Sequence, residues 1–205
     1  MKTIDTTTVF VCRCHSEENQ GASIPPGGVL TEWNLALQLD LAINACMWTH
    51  HDTEAQLLED TLPERINQIN EYTRKPKLAI EVHFNAGYSP AQSGFHVEAY
   101  QGSRDSLALA GYVLAEMARA YRGTGIPNNG VNRVNRDYRW IGTEKSYRAN
   151  RQGFVMGTSC PAILVEAGFL TNPRDAAYLE DRSHRSDIGW QIGNGIIRYL
   201  REFKK

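Results

Sequence analysis

Residues 162–172 read AILVEAGFLTN, and residues 78–86 read LAIEVHFNA. Each stretch is a short, mostly apolar run rich in β-branched residues, which is typical of a strand buried inside a sheet. Each run also leads into a group that can bind a metal or move a proton, Glu166 in the first and His83 in the second. Because α/β proteins place their ligand-binding groups at the carboxyl ends of such strands, the two stretches predict an enzyme.

Strand and helix patterns alternate along the rest of the chain. Strands are predicted where β-rich runs are bounded by turn residues, at 8–12, 78–83, 94–100 and 162–165. Helices are predicted where apolar residues recur at helical spacing, at 31–47, 61–72, 103–121, 173–179 and 188–203. Residues 123–138 show no period and are expected to form a loop. This order predicts a single α/β domain with a mainly parallel or mixed twisted sheet of about six strands and helices on both faces.

Length and charge exclude several classes of protein. A chain of 205 residues is long enough to bury one substantial core. Its net charge of -1 argues against binding to nucleic acid, which needs a concentrated basic surface. No stretch is long and apolar enough to cross a bilayer, so no stable membrane association is expected. The sequence leaves the oligomeric state open, and we favour a monomer.

Four cysteines are scattered over the chain, at Cys12, Cys14, Cys46 and Cys160. They are too few and too dispersed for a disulfide framework, so we expect reduced thiols. The run Cys12-Arg13-Cys14-His15 suggests half of a zinc knuckle, but no second pair of ligands follows at comparable spacing. We therefore interpret the cysteines as packing residues.

Two motifs resemble those of the zinc-dependent N-acetylmuramoyl-L-alanine amidases. That family carries S-x-H-x-N-A in the middle of its domain and P-x-x-L-V-E-x-G-F-x-x-N near the end. Here residues 81–86 read EVHFNA and residues 161–172 read PAILVEAGFLTN, so the second match is almost complete. The resemblance implies that residues 1–205 form one zinc amidase catalytic domain, without a separate cell-wall-binding domain, whose substrate is peptidoglycan.

Hydrolysis of an amide needs an activated water, and no activated serine is visible in the sequence. Zinc polarises a carbonyl and lowers the pKa of a bound water to about 7, and a catalytic zinc takes three protein ligands. His15 after the first strand, Glu32 at the start of the first helix and His83 could supply them. The family draws its ligands from the same three places, which implies Zn2+ bound by this set.

Glu166 is expected to act on protons rather than to hold the metal. A carboxylate beside an activated water can take its proton and deliver it to the departing amine. The matching Glu of the family is catalytic and does not ligate zinc. Gly168 is expected to let the backbone approach the site closely. For Asn85 and Asn172, a turn-forming role is favoured over contact with ligands.

The first histidine leaves a second ligand set open. The family has glycines around this histidine, whereas here the residues are Cys14-His15-Ser16. Residues 15–18 also form H-x-x-E, the ligand pair of zinc carboxypeptidases, which would give His15, Glu18 and His83. We favour Glu32 because a ligand at a helix start is better oriented than one in a polar loop. A zinc peptidase cutting within the stem peptide and a non-catalytic wall-binding protein remain alternatives.

Other polar and aromatic residues have simpler explanations. The remaining histidines are expected at the surface, namely His50, His51, His96 and His184. The loop between 123 and 151 could form a substrate groove, with aromatic and basic candidates at Tyr138, Trp140, Arg133, Arg136 and Arg139.

The amino-terminal residues 1–6 lack the apolar run of a signal peptide. Together with the family resemblance, this predicts either a phage or prophage endolysin or a catalytic domain expressed alone, and we favour the endolysin. Such a protein is expected to stay in the host cytoplasm until it is released to the cell wall.

Overall fold

A computed structural model of the chain describes residues 6–25, 27–50, 53–74, 77–134 and 151–203. The strands within these ranges are β1 (Thr7–Arg13), β2 (Ser23–Ile24), β3 (Leu30–Thr31), β4 (Thr53–Leu58), β5 (Lys77–Asn85), β6 (Phe95–Tyr100), β7 (Asn128–Val134) and β8 (Ala162–Phe169). The helices are α1 (Glu32–Trp48), α2 (Leu62–Glu71), α3 (Arg104–Ala120), α4 (Arg151–Gly157), α5 (Pro173–Glu180) and α6 (Arg182–Glu202).

Six strands form one mixed sheet in the order β4-β1-β5-β8-β6-β7. The first four in this order are parallel to one another, while β6 pairs with β8 antiparallel and with β7 parallel. β1 and β5 are buried along their whole length because helices cover both faces of the sheet. The predicted α/β domain with a mixed six-stranded sheet is confirmed.

Two hydrophobic cores lie on opposite faces of the sheet. The larger contains apolar residues of α1, α3 and α6, including Leu39, Val113 and Ile192. The smaller contains Ile69 of α2 and Phe154 of α4. Across the described ranges, no helix combines the length and the apolar character that crossing a membrane would need.

Local capping fixes where α1 begins. The Thr31 hydroxyl accepts a hydrogen bond from Asn34 N at 3.4 Å, and the Asn34 side chain accepts one from Thr31 N at 2.9 Å. This reciprocal pair satisfies two backbone donors that a helix start leaves unpaired. Glu32 therefore becomes the first residue of the helix.

Several elements differ from the sequence prediction. β7 lies inside the segment expected to be a loop. The sequence did not indicate it because its mostly polar residues, NNGVNRV, show no strand alternation, and it is an edge strand that pairs with β6 alone. β4 is the opposite edge strand, and all its residues are only half-buried. α6 begins before residue 188 because the Asp181 side chain accepts a hydrogen bond from Ser183 N and caps it.

Candidate active site

The carboxyl ends of the central parallel strands bring the predicted site residues together. His15 follows the end of β1, His83 lies near the end of β5, and Glu166 lies in the last half of β8. Glu32 is the first residue of α1. Four residues far apart in the sequence thus meet at one edge of the sheet.

Three of these residues form a compact group of potential metal donors. His15 Nε2 lies 2.9 Å from Glu32 Oε2, and His83 Nδ1 lies 2.9 Å from Glu32 Oε1. Together with Cys14, their donor atoms all lie within 4.8 Å of one another. Glu18, the alternative ligand, is exposed and is not a member of this group.

The carboxylate of Glu32 is fixed and ionised. It is 1% exposed, and it accepts hydrogen bonds from Phe84 N at 3.1 Å and from Ala22 N at 3.3 Å. Burial by itself would raise the pKa of Glu32, but the imidazoles of His15 and His83 outweigh burial and hold that pKa well below its usual range. An ionised carboxylate between two imidazoles is a donor set suited to zinc.

The surroundings of His15 fit a metal ion rather than a packed polar core. Its Nε2 is close to Glu32 but is not oriented for a hydrogen bond, so this buried nitrogen has no hydrogen-bond partner among the described residues. The backbone of His15 has φ 58°. Gly21 faces the pair, and a Cβ there would lie 2.6 Å from His15 Nε2 and from Glu32 Oε2. The glycine thus keeps the space around both donors clear.

Glu166 occupies the strand beside His83. The two residues are direct partners in the register of β5 and β8, so their side chains project from the same face of the sheet. Glu166 is fully buried. A carboxylate at this position adjoins the donor group without belonging to it, which suits a proton-transfer group better than a ligand.

Sequence analysis missed two charged residues beside His83. Glu81 Oε2 lies 3.3 Å from His83 Nε2, and Arg65 of α2 donates a hydrogen bond to Glu81 Oε1 at 2.5 Å. Burial by itself would lower the pKa of His83, but Glu32 and Glu81 raise that pKa to about 9. Glu81 comes two residues before His83 in a strand, so the sequence alone indicated that the two side chains lie on the same face of the sheet. Nothing in the sequence indicated Arg65.

The expectation for His96 is wrong. It is buried, with 7% exposure, and it is the register partner of Glu166 on β6. Its Nε2 lies 3.4 Å from Glu98 Oε1. Alternation on β6 predicted a wetter face, but α4 packs against β6 and covers that face. His50 and His184 are partly exposed, as expected.

The two asparagines and Gly168 have structural contacts. The Asn172 side chain caps α5 by accepting hydrogen bonds from Arg174 N and Asp175 N, which confirms the turn-forming interpretation. Asn85 is buried at the end of β5. Gly168 has φ 140°, and a Cβ there would meet Leu179 at 2.9 Å, so the close approach is to α5.

The candidate groove residues fall largely outside the described ranges. Arg133 is described and exposed on β7. The others lie outside the described residues, namely Arg136, Tyr138, Arg139 and Trp140, as does His51.

All four cysteines are free thiols, which agrees with the expectation of reduced cysteines. Cys14, however, borders the donor group rather than a distant part of the core. Burial, and then the nearby charge of Glu32, raise the pKa of the Cys14 thiol well above its usual value. In the absence of a metal ion the Cys14 thiol is therefore protonated.

Comparison with known proteins gives a consistent result. The family described as N-acetylmuramoyl-L-alanine amidase matches residues 9–198. The germination-specific N-acetylmuramoyl-L-alanine amidase of Bacillus subtilis (strain 168) is 26% identical over 143 residues, which are 70% of this chain and 52% of that protein. The chain therefore spans about half the length of this curated relative.

Solved structures share the fold. The N-acetylmuramoyl-L-alanine amidase from Clostridium difficile 630 superposes with a TM-score of 0.77 at 19% identity, covering 97% of this chain and 98% of that one. The catalytic domain of CwlV, an N-acetylmuramoyl-L-alanine amidase from Bacillus (Paenibacillus) polymyxa var. colistinus, gives 0.73 at 21% identity, covering 96% and 99%.

Proposed function

We propose that the chain, which belongs to the N-acetylmuramoyl-L-alanine amidase family, is a peptidoglycan hydrolase that cleaves the amide bond between N-acetylmuramic acid and L-alanine. One observation carries the proposal. A His15, Glu32 and His83 donor group lies at the carboxyl edge of the sheet, with the buried carboxylate of Glu166 on the adjacent strand. These residues provide metal binding and proton transfer, the two capacities that amide hydrolysis needs.

We assign the metal as zinc. Two imidazoles and one carboxylate are a donor set that catalytic zinc sites use, whereas magnesium and calcium prefer oxygen ligands. Zinc bound there would polarise the amide carbonyl and lower the pKa of a water molecule to about 7. His15, Glu32 and His83 would hold the ion, and the backbone amides of Phe84 and Ala22 keep Glu32 in place.

Glu166 performs the proton transfers in this proposal. Its carboxylate takes a proton from the attacking water as the oxygen–carbon bond forms. It then gives that proton to the amide nitrogen as the carbon–nitrogen bond breaks. The products are the carboxylic acid of the lactyl group and the free α-amine of L-alanine. Water is therefore the one co-reactant that the reaction consumes.

The identity of the new amino group tests the proposal. Purified peptidoglycan is digested, and the newly formed amines are labelled and identified. A labelled L-alanine amine is expected, with chelation abolishing its release and added zinc restoring it. A new amine within the stem peptide would indicate a peptidase instead, and no new amine would indicate a non-catalytic wall-binding protein.

We also propose that the protein acts as a phage or prophage lysin that is held in the host cytoplasm until it reaches the wall. Fractionation of cells that express the chain tests this proposal. Recovery of the protein outside an intact inner membrane would contradict it.

A further inference from the structure

A buried ion pair lies directly behind the metal donors. Arg65 and Glu81 are joined at 2.5 Å, and their side chains are 4% and 2% exposed. The second oxygen of Glu81 lies 3.3 Å from Nε2 of His83, on the side of the ring away from Glu32. Glu81 therefore contacts the ring nitrogen that does not face the donor group.

Arg65 also contacts the strand end that carries the other histidine. Its Nη1 donates to the carbonyl oxygen of Arg13 at 2.5 Å and lies 3.4 Å from the carbonyl oxygen of His15. One guanidinium on α2 thus contacts the backbone of one donor directly and the imidazole of another through Glu81. The rigid fork of an arginine suits such simultaneous contacts.

Stability alone is a weak explanation for this pair. Removing two charges from water costs about as much as their attraction returns, so a buried ion pair adds little to the stability of a fold. A carboxylate on the second nitrogen of a metal-binding histidine, by contrast, fixes the tautomer and the orientation of the ring. The position of Glu81 matches that second role.

We propose that Arg65 and Glu81 are positioning residues that pre-orient His83 and His15 for the metal. The negative charge of Glu81, 3.3 Å from Nε2 of His83, favours the proton on that nitrogen and leaves the Nδ1 lone pair directed toward Glu32 and the ion. Arg65 keeps Glu81 in place and ties the end of β1 to the same point. The inference rests on the proposed metal centre.

The test measures metal binding rather than turnover. Zinc affinity of Glu81→Gln and Arg65→Met is measured by competition with a chelator, at a temperature where each variant is folded by circular dichroism. We expect zinc to bind about 10- to 100-fold more weakly in both variants, as for other partners of metal-bound histidines. In the Co2+-loaded Glu81→Gln protein, the visible absorption bands should change, because the ligand geometry changes.

A matched control separates positioning from loss of a buried charge. Glu116→Gln removes a carboxylate that is 1% exposed and pairs with Arg198 between α3 and α6. Its zinc affinity should stay within about twofold of wild type, because the Glu116 carboxylate pairs with Arg119 and Arg198 rather than with a donor residue. If a single variant does not fold, the double variant Arg65→Met, Glu81→Gln removes both charges together and is measured instead.

The outcomes distinguish the two proposals. Folded Glu81→Gln protein with wild-type zinc affinity and an unchanged cobalt spectrum would overturn the positioning role while leaving the proposed function intact. Wild-type protein that binds no zinc would overturn the metal centre, and the positioning role with it.

Discussion

Replacing Gly21 with alanine should disrupt the proposed metal centre through a single methyl group. The new Cβ would lie 2.6 Å from His15 Nε2 and from Glu32 Oε2, whereas ordinary van der Waals contact begins at 3.4 Å. The donors would have to move by most of that difference, well beyond the roughly 0.2 Å tolerance of metal–ligand distances. We therefore expect zinc to bind about 10- to 100-fold more weakly, as when a residue that supports a metal ligand is lost.

The same substitution also strains the backbone, and this cost can be measured separately. Gly21 has φ +73°, a conformation that costs an alanine about 1–2 kcal/mol. In a chain of this size, each kcal/mol lowers Tm by about 2–4 °C. Gly123 is the matched control because it has φ +80° and nothing within 4 Å of an added Cβ.

Zinc affinity by chelator competition and Tm by calorimetry are measured on both variants without metal and with it. Gly123→Ala should have a lower Tm and an unchanged zinc affinity, whereas in Gly21→Ala both Tm and zinc affinity should fall. If folded Gly21→Ala bound zinc as tightly as Gly123→Ala, the donors would not converge on a shared ion beside this glycine.

Three further predictions concern carboxylates. Glu166→Gln should keep zinc and lose about 10²- to 10⁴-fold in turnover, whereas Glu32→Ala should lose zinc; metal analysis of both proteins decides this, and zinc retained by Glu32→Ala contradicts the ligand set. Glu18→Ala should keep both zinc and activity, and loss of its metal would favour the carboxypeptidase-like set. Burial, opposed by Arg13, raises the pKa of Asp40 to about 7. Between about pH 4 and 7 the folded protein keeps a proton on Asp40 that the unfolded chain has released. This proton stabilises the folded state fully below about pH 4, and the stabilisation is lost as pH rises through 7. Urea unfolding at pH 5 and 8 should show a smaller pH dependence in Asp40→Asn than in wild type, and equal dependence would contradict the assignment.

The sequence was sufficient to predict the central strands and the first helices, because the residue patterns that specify them are local. β5 and β8 are mostly apolar runs that lead into His83 and Glu166, side chains able to bind a metal or move a proton. Thr31 caps the helix that begins at Glu32. Edge strand β7 was not predictable in this way, since a strand with one neighbour needs little apolar alternation.

The surroundings of the site depend on tertiary contacts that no periodicity reveals. Arg65 lies on α2, whose polar composition is typical of a solvated helix, yet its guanidinium is buried against Glu81 and the end of β1. His96 was expected at the surface because strand alternation does not report which neighbours cover a face. His96 is buried beside Glu166 because β6 lies inside the sheet, between β8 and β7, and because α4 packs against that strand.

The place of β8 in the sheet has a consequence for synthesis of the protein. β8 inserts between β5 and β6, although it is made long after both of them. A ribosome releases the amino-terminal residues first, so a nascent chain carries His15, Glu32 and His83 before it carries Glu166. During that interval the sheet lacks a central strand and the proton-transfer group is missing. Under the proposed mechanism, translation products that end before β8 lack the carboxylate that moves the protons and are therefore expected to be inactive.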